Sequence, residues 1–246
     1  MAKKRKNSNY VGSKSYFAKE AIRKEKETAD QRRRLTVLVS FILSVIILVL
    51  IPVSIVAGVQ SYRKRDNKYV EIVVKDYGSI VLYLDAYQAP ETVANFVKLA
   101  EEGFYDNLTL HRANETIIQG GDPLGTGKGG STQKIKGEFS KNGVDNEISH
   151  KRGVISMARS GSTSSSNGYD TASSQFFICV KDYPDWDGEY AAFGHVVEGM
   201  DVVDAINAGM LKTLKDTSDK DDTINSKENQ PKILTVRVLD NYRLAN

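Results

Sequence analysis

Residues 35–59, LTVLVSFILSVIILVLIPVSIVAGV, carry no charged side chain, whereas from Tyr69 onward apolar and polar positions change over in short runs of strand length. At about 1.5 Å per residue the uncharged run exceeds a hydrocarbon core of roughly 30 Å, which predicts one transmembrane helix at 35–59. Pro52 falls near its end, where a membrane helix tolerates the lost hydrogen bond. Residues 1–34 form a basic tail ending in Arg32, Arg33 and Arg34, which the positive-inside rule assigns to the cytoplasm; Arg63, Lys64 and Arg65 behind the run weaken the asymmetry without reversing it. The expectation is a single-pass cell-membrane protein, with the bilayer as one partner and the C-terminal domain extracytoplasmic. A cleaved signal peptide is set aside, because the run is longer than an h-region and follows a long charged tail. Residues 60–68 read as a polar linker.

Beyond the linker, Tyr69–Lys75 and Ser79–Leu84 are β-branched and aromatic runs separated by DYG, a hairpin pattern. The period then lengthens. In APETVANFVKLAEEG, Pro90 stands where a missing N–H costs nothing, Val93, Phe96, Val97 and Ala100 recur at helical spacing, and Gly103 stops the helix. Further strands are expected at Leu108–Arg112, Ile117–Gln119, Gly153–Ala158, Ser174–Val180, Ala191–Val197 and Lys232–Leu239, with a second short helix at Met200–Asn207. Many strands with two helices predict an antiparallel sandwich or closed barrel. Residues 160–171 and 212–230 are polar enough to read as surface loops.

Charge and composition narrow the chemistry. The formal net charge is +3, and the basic tail has no aromatic or fold signature beside it, so no nucleic acid is expected as a partner. The single cysteine, Cys179, excludes an intrachain disulfide and reads as a small buried apolar residue. GTGKGG at 125–130 matches a dinucleotide fingerprint in its letters, yet no helical period follows it, and Gly129 stands where a phosphate loop needs Ser or Thr. It reads as a glycine-rich turn. His111, His150 and His195 are not at zinc-ligand spacing, no G-x-S-x-G elbow occurs, and DTSDKDD at 216–222 lacks the glycine and glutamate of an EF-hand loop. No metal or cofactor is expected.

What remains is LHR at 110–112, IIQGGDP at 117–123, SMARSG at 156–161, SSQFFICV at 173–180, and WDG through FGHVVEGM at 186–200. In this order the motifs resemble the cyclophilin family of peptidyl-prolyl cis-trans isomerases, over essentially all of Tyr69–Tyr242, so that 69–243 is expected as the isomerase domain. The resemblance implies an eight-stranded antiparallel barrel capped by two helices, here preceded by the membrane helix. It implies rotation of X–Pro bonds in extended or unfolded polypeptides, in this setting exported ones. It assigns Arg112 as the donor that stabilises the twisted amide and Gln119 as the amide that orients it. Thr116, Ile117, Phe177 and Trp186 fall on the proline pocket, with Gln175 beside them. Arg159 contributes backbone contacts, Ser160 lines the neighbouring subsite, and Tyr190 stands where histidine is frequent. His111 is read as a support behind Arg112 rather than a catalyst.

The chain departs from the family pattern at three places. The Arg112–Gln119 segment is one residue short, Thr116 replaces a common phenylalanine, and Trp186 precedes DG where leucine is usual. The alternative implied is a peptide-binding or chaperone module that uses the same groove. Asn107 and Asn114 head glycosylation sequons, which have meaning only in a eukaryotic host.

Overall fold

A computed structural model describes residues 9–63, 66–161, 167–217, 221–240 and 242, with side chains of the first helix described over 17–48. The chain forms two compact units, Met1–Gln60 and Ser61–Asn246.

The first unit is a helix, α1 (Asn9–Arg63). Its polar half is laced by i,i+4 pairs, Lys24 with Glu20, Arg23 with Glu27 and Arg34 with Asp30, which favour the helix over an unstructured basic tail. Among the described residues no helix is long and apolar enough to cross a membrane. The described part of the apolar run, Leu35 to Leu48, is roughly 20 Å long at about 1.5 Å per residue, short of the roughly 30 Å needed. Residues 49–59 of the expected span lie outside the described side chains. The expectation of a membrane helix is therefore corrected. With it go the bilayer partner, the single-pass topology, the extracytoplasmic placement and the restriction to exported clients.

The second unit begins with β1 (Lys68–Val74) and β2 (Gly78–Leu84), the expected hairpin. There follow α2 (Pro90–Glu101), β3 (Thr109–Ala113), β4 (Ile117–Asp122), β5 (Val154–Met157), β6 (Phe176–Cys179), β7 (Ala192–Glu198), α3 (Met200–Thr217) and β8 (Ile233–Leu239). The strands make one sheet in the order β3-β4-β6-β5-β7-β2-β1-β8, every pair antiparallel. Its two edge strands come together through a bridge between Thr109 and Lys232, with the Leu110 N–H donating to the Pro231 carbonyl at 2.9 Å and the Ile233 N–H to Leu108 at 2.8 Å. The sheet is thus a curled half-barrel capped by helices, drawn together at one place rather than closed by a full ladder as expected.

Alternation along the strands divides the apolar residues between two faces. Inward positions such as Ile118, Ile155, Phe176 and Ile178 join one large core with α2 and α3. Phe96 of α2 packs its ring 4.9 Å from Tyr105, 5.3 Å from Phe193 and 5.6 Å from Phe176, which makes it the hub between helix and sheet. The N-cap residue of α2, Ala89, has no side-chain acceptor. Glu138 supplies one from a distant loop, accepting the N–H groups of Glu91 and Thr92 at 2.9 and 2.7 Å where the helix dipole favours negative charge. The segment 212–230 departs from the expected surface loop. Val203, Ile206 and Met210 are buried and Leu214 packs beside them, which carries α3 on to Thr217, and Ile224 is fully buried. Residues 218–220 of that segment, and 162–166 of the other expected loop, lie outside the described residues.

Two histidines are buried in this unit. His111 on β3 is fully buried, and neither ring nitrogen has a hydrogen-bond partner among the described residues. Burial lowers its pKa to about 4, against a raising influence of the Asp122 carboxylate and with a further lowering by Arg112. His150 is lowered as well, again chiefly by burial.

Two outcomes follow for stability. Phe96→Ala removes the hub ring and is expected to cost about 3–5 kcal/mol, read as a lower urea midpoint with an unchanged slope. For pH, the unfolded chain binds a proton at the ordinary histidine value of 6.5 while folded His111 does so only near 4, so stability falls as pH drops through that window. The His111 share is about 3 kcal/mol at about 1.4 kcal/mol per pH unit. Urea unfolding across pH 4–7 checks it: His111→Gln is expected to flatten the profile, and an equally steep fall in that variant refutes the assignment.

Candidate functional site

The site grows from the pairing of β3 with β4. Leu110 faces Gly120 and Arg112 faces Gln119, so the ladder skips His111 and contains a bulge there. A bulge inserts one residue and re-aims its neighbours. Here it sends His111 inward and sets Arg112, half-exposed, opposite Gln119. The same row continues across the sheet, with Gln119 facing Phe177 on β6 and Phe177 facing Ser156 on β5. Residues directly opposite share a face, so the register lines up arginine, amide and aromatic ring on the outside of the half-barrel.

Side-chain amides connect the polar part. Arg112 Nη1 donates to Gln119 Oε1 at 3.3 Å, Gln119 Nε2 donates to Gln175 Oε1 at 2.9 Å, and Gln175 Nε2 donates to the carbonyls of Gly127 and Gly129 at 3.1 and 2.7 Å. Each amide has both ends used, so its orientation is set by its neighbours. The glycine-rich segment at the end of this chain is organised by Asp122, whose carboxylate accepts N–H bonds from Leu124, Thr126 and Gly129 at 2.8, 3.0 and 3.1 Å. Burial raises the Asp122 pKa, but the backbone N–H groups outweigh it and the net shift is downward. Those N–H groups already have an anion, which is the physical reason the segment is a turn and not a phosphate cradle. Gly121 before it has φ +84, and a Cβ there would press into the Ser174 carbonyl.

The apolar part is a second, smaller cluster on the outer face. Ile117, Phe177 and Cys179 are buried, with Ala158, Trp186 and Tyr190 packed against them. Phe177 lies 5.3 Å from Trp186 and 5.7 Å from Tyr190, and those two rings lie 5.6 Å apart. Cys179 is fully buried, and burial pushes its thiol up to about 12, so it is an inert apolar residue. His150 stacks 6.1 Å from Phe177; its Nδ1 meets Asp187 Oδ1 at 2.9 Å and its Nε2 meets Ser156 Oγ at 3.1 Å. The neutral ring donates to Asp187 and accepts from the Ser156 hydroxyl, which fixes the floor of the cluster. Burial opposes the charge of Asp187, but bonds from Ser149 and from the backbone and ring of His150 lower its pKa overall. Ser156 is fully buried, so this Ser-His-Asp chain has no exposed nucleophile.

The structure brings Arg112, Gln119 and Gln175 into one hydrogen-bonded chain and Ile117, Phe177, Trp186 and Tyr190 into one apolar cluster. Ser160 and Arg159 line a cleft of about 370 Å³ shared with Gln119, Gln175 and Lys128. The Arg159 head is engaged within the fold: its Nε donates to the Glu189 carbonyl at 2.9 Å, its guanidinium lies 4.6 Å from the Tyr190 ring centroid and 5.2 Å from Tyr169, and it pairs with the Glu189 carboxylate at 3.3 Å. Thr116 sits on the β3–β4 turn, its N–H held by Asn114 Oδ1 at 2.8 Å. His111 lies behind Arg112, beneath Gly127. Sequence reasoning missed His150, Asp187 and Asp222. Asp187 lay inside WDG, a motif already singled out, and SMA at 156–158 marked the strand that His150 leans on.

Comparisons with known proteins identify the family. A family model described as cyclophilin type peptidyl-prolyl cis-trans isomerase/CLD matches residues 69–229. A peptidyl-prolyl cis-trans isomerase of Helicobacter pylori is 45% identical over 135 residues, covering 54% of this chain and 76% of that protein. The isomerase ppi1 of Schizosaccharomyces pombe is 39% identical over 145 residues, covering 58% and 85%. The crystal structure of a cyclophilin type isomerase from Cryptosporidium parvum superposes with a TM-score of 0.59 at 29% identity, over 72% of this chain and 100% of that one. A second structure of that protein, in the presence of the dipeptide Ala-Pro, gives 0.58. Matched from its first strand through the whole of the outer-face row, the chain belongs to the cyclophilin-type peptidyl-prolyl cis-trans isomerases, enzymes that rotate X–Pro bonds.

Proposed function

We propose that Arg112 supplies the transition-state contact of this isomerase, with Gln119 as its orienting amide and the Ile117, Phe177, Trp186 and Tyr190 cluster as the seat of the proline ring. Rotating a peptide bond breaks amide resonance against a barrier of about 18–20 kcal/mol. In the twisted state the prolyl nitrogen regains its lone pair, and a donor aimed at it binds that state better than either planar one. A guanidinium suits the task because it stays charged and presents N–H groups in a fixed plane. No covalent bond forms or breaks, so the arrangement needs no nucleophile. Extended or unfolded polypeptides containing proline are the substrates, for which uncatalysed isomerisation takes roughly 10–100 s.

The observation that supports this reading is the single row Arg112, Gln119, Phe177 across three strands, which sets a half-exposed cation on the same face as an apolar cluster, with Gln119 between them. Gln175 and the carbonyls it binds keep the Gln119 amide turned so that its oxygen, not its nitrogen, faces Arg112. Ser160 and Gln175 border the adjoining cleft, where the residues before the proline would run.

Arg112→Ala is expected to lower kcat/KM on an X–Pro peptide by about 100-fold or more, the scale of losing one transition-state donor. Affinity for the same peptide should change far less. The rate is read by protease-coupled or NMR exchange assay, and binding by emission of Trp186, the only tryptophan of the chain. Equal rates for Arg112→Ala and wild type would remove Arg112 from the mechanism.

A further inference from the structure

We propose that Asp222 is a positioning residue for the isomerisation step, holding the Arg112 guanidinium through the terminal nitrogen that Gln119 does not use. The proposal rests on the reading of Arg112 as the donor. Asp222 Oδ2 lies 3.5 Å from Arg112 Nη2, while Gln119 Oε1 takes Nη1 at 3.3 Å. That second bond is at the long end for N–H···O, so alone it leaves the guanidinium plane free to swivel. A carboxylate facing the other terminal nitrogen, at ion-pair rather than hydrogen-bond distance, adds a charge attraction from the opposite side that biases the plane and leaves the remaining N–H groups for the prolyl nitrogen.

The fold takes trouble to bring Asp222 there. β3 is an edge strand of the sheet, and the segment after α3 returns along its free edge. The Ala113 N–H donates to the Asp222 carbonyl at 3.0 Å, the Ile224 N–H donates to the His111 carbonyl at 2.9 Å, and Arg112 bridges to Thr223. Asp221 and Asp222 both hold left-handed backbone, φ 59, a conformation that Asp and Asn visit more readily than other non-glycine residues but seldom twice in succession. The constraint is visible: Ile224 is fully buried in the main core, and Gln230 is held by Gly125 and Ile224 carbonyls at 2.8 and 2.6 Å. Asn114, in the shortened segment between β3 and β4, donates to the same Asp222 Oδ2 at 3.1 Å. The carboxylate is thus held by two parts of the chain and aimed at Arg112.

An ion pair this exposed contributes little to stability, so its effect falls on orientation. Asp222→Ala is expected to lower kcat by about tenfold, with KM changed less than about twofold, because an oriented donor acts only in the transition state. Asp222→Asn keeps an acceptor and tolerates left-handed backbone, so it should lose about threefold and decides the matter if the alanine variant does not fold. In an Arg112→Ala background, either substitution should leave the residual rate unchanged, which a general disturbance of the fold would not do. Full kcat in both single variants, a rise in kcat, or a further loss in the Arg112→Ala background each overturns the proposal. Full activity of Arg112→Ala would instead overturn the reading of Arg112 as the donor, and this proposal with it.

Discussion

The site depends on one register: Arg112 on β3 lies across from Gln119 on β4. In regular antiparallel pairing a shift by one residue moves every side chain to the other face. The β3–β4 ladder shifts register between Thr109 and Leu110 and again, at the His111 bulge, between Leu110 and Arg112. Leu110 and His111 both go to the interior side of the fold, and Arg112 emerges on the outside. Were the bulge absent, the arginine would be buried without a partner or the histidine would face the groove. The buried, unpartnered state of His111 is therefore a consequence of the same irregularity that exposes Arg112.

A curled sheet needs apolar residues on only one face, and this one spends a few on the other. Phe176 and Phe177 are neighbours in the chain and belong to different clusters, the first to the main core and the second to the outer patch. Such a patch would collapse onto itself if its rings were free. Here the floor is set by His150, fixed at both nitrogens by Asp187 and Ser156, and Tyr190 is held at its edge by the Arg159 guanidinium. Arg159 is itself paired with Glu189, which also engages Lys141. Polar groups thus keep an apolar surface open, at positions where hydrophobic periodicity alone would have shown only core.

Much of this was legible because it is local. Pro90 and the spacing of Val93, Phe96 and Val97 announced α2, the β-branched runs announced the strands, and the motifs around Arg112, Gln119 and Phe177 carried the family. What was not legible is non-local. Nothing beside Glu138 in the chain shows that it caps α2, and nothing beside Asp222 shows that it returns to β3. Both depend on chain reversal through segments whose polar composition reads as loop. The same bias hid the last part of α3, where Met210 and Leu214 keep the helical spacing within a largely polar stretch. The membrane expectation failed differently, since it rested on the letters of 35–59 alone and the described helix does not satisfy the length and apolarity of a span.

The shortened turn between Arg112 and Gln119 shows how a deletion can be absorbed without strain at the register. Asn114 adds side-chain bonds to the backbone bond from its N–H to the Ile117 carbonyl at 3.1 Å: its Oδ1 accepts the N–H groups of Thr116 and Ile117 at 2.8 and 3.0 Å. This is the local turn chemistry that makes Asn a favoured substitute for a longer loop. Its carbonyl in turn accepts from Asn207 of α3 at 2.9 Å, and its Nδ2 reaches Asp222. One asparagine therefore ties the turn to the capping helix and to the segment beside β3, and none of the left-handed residues of this unit falls between Arg112 and Gln119. Next to the turn the pairs Arg112 with Gln119 and Ala113 with Ile118 stay in consecutive register.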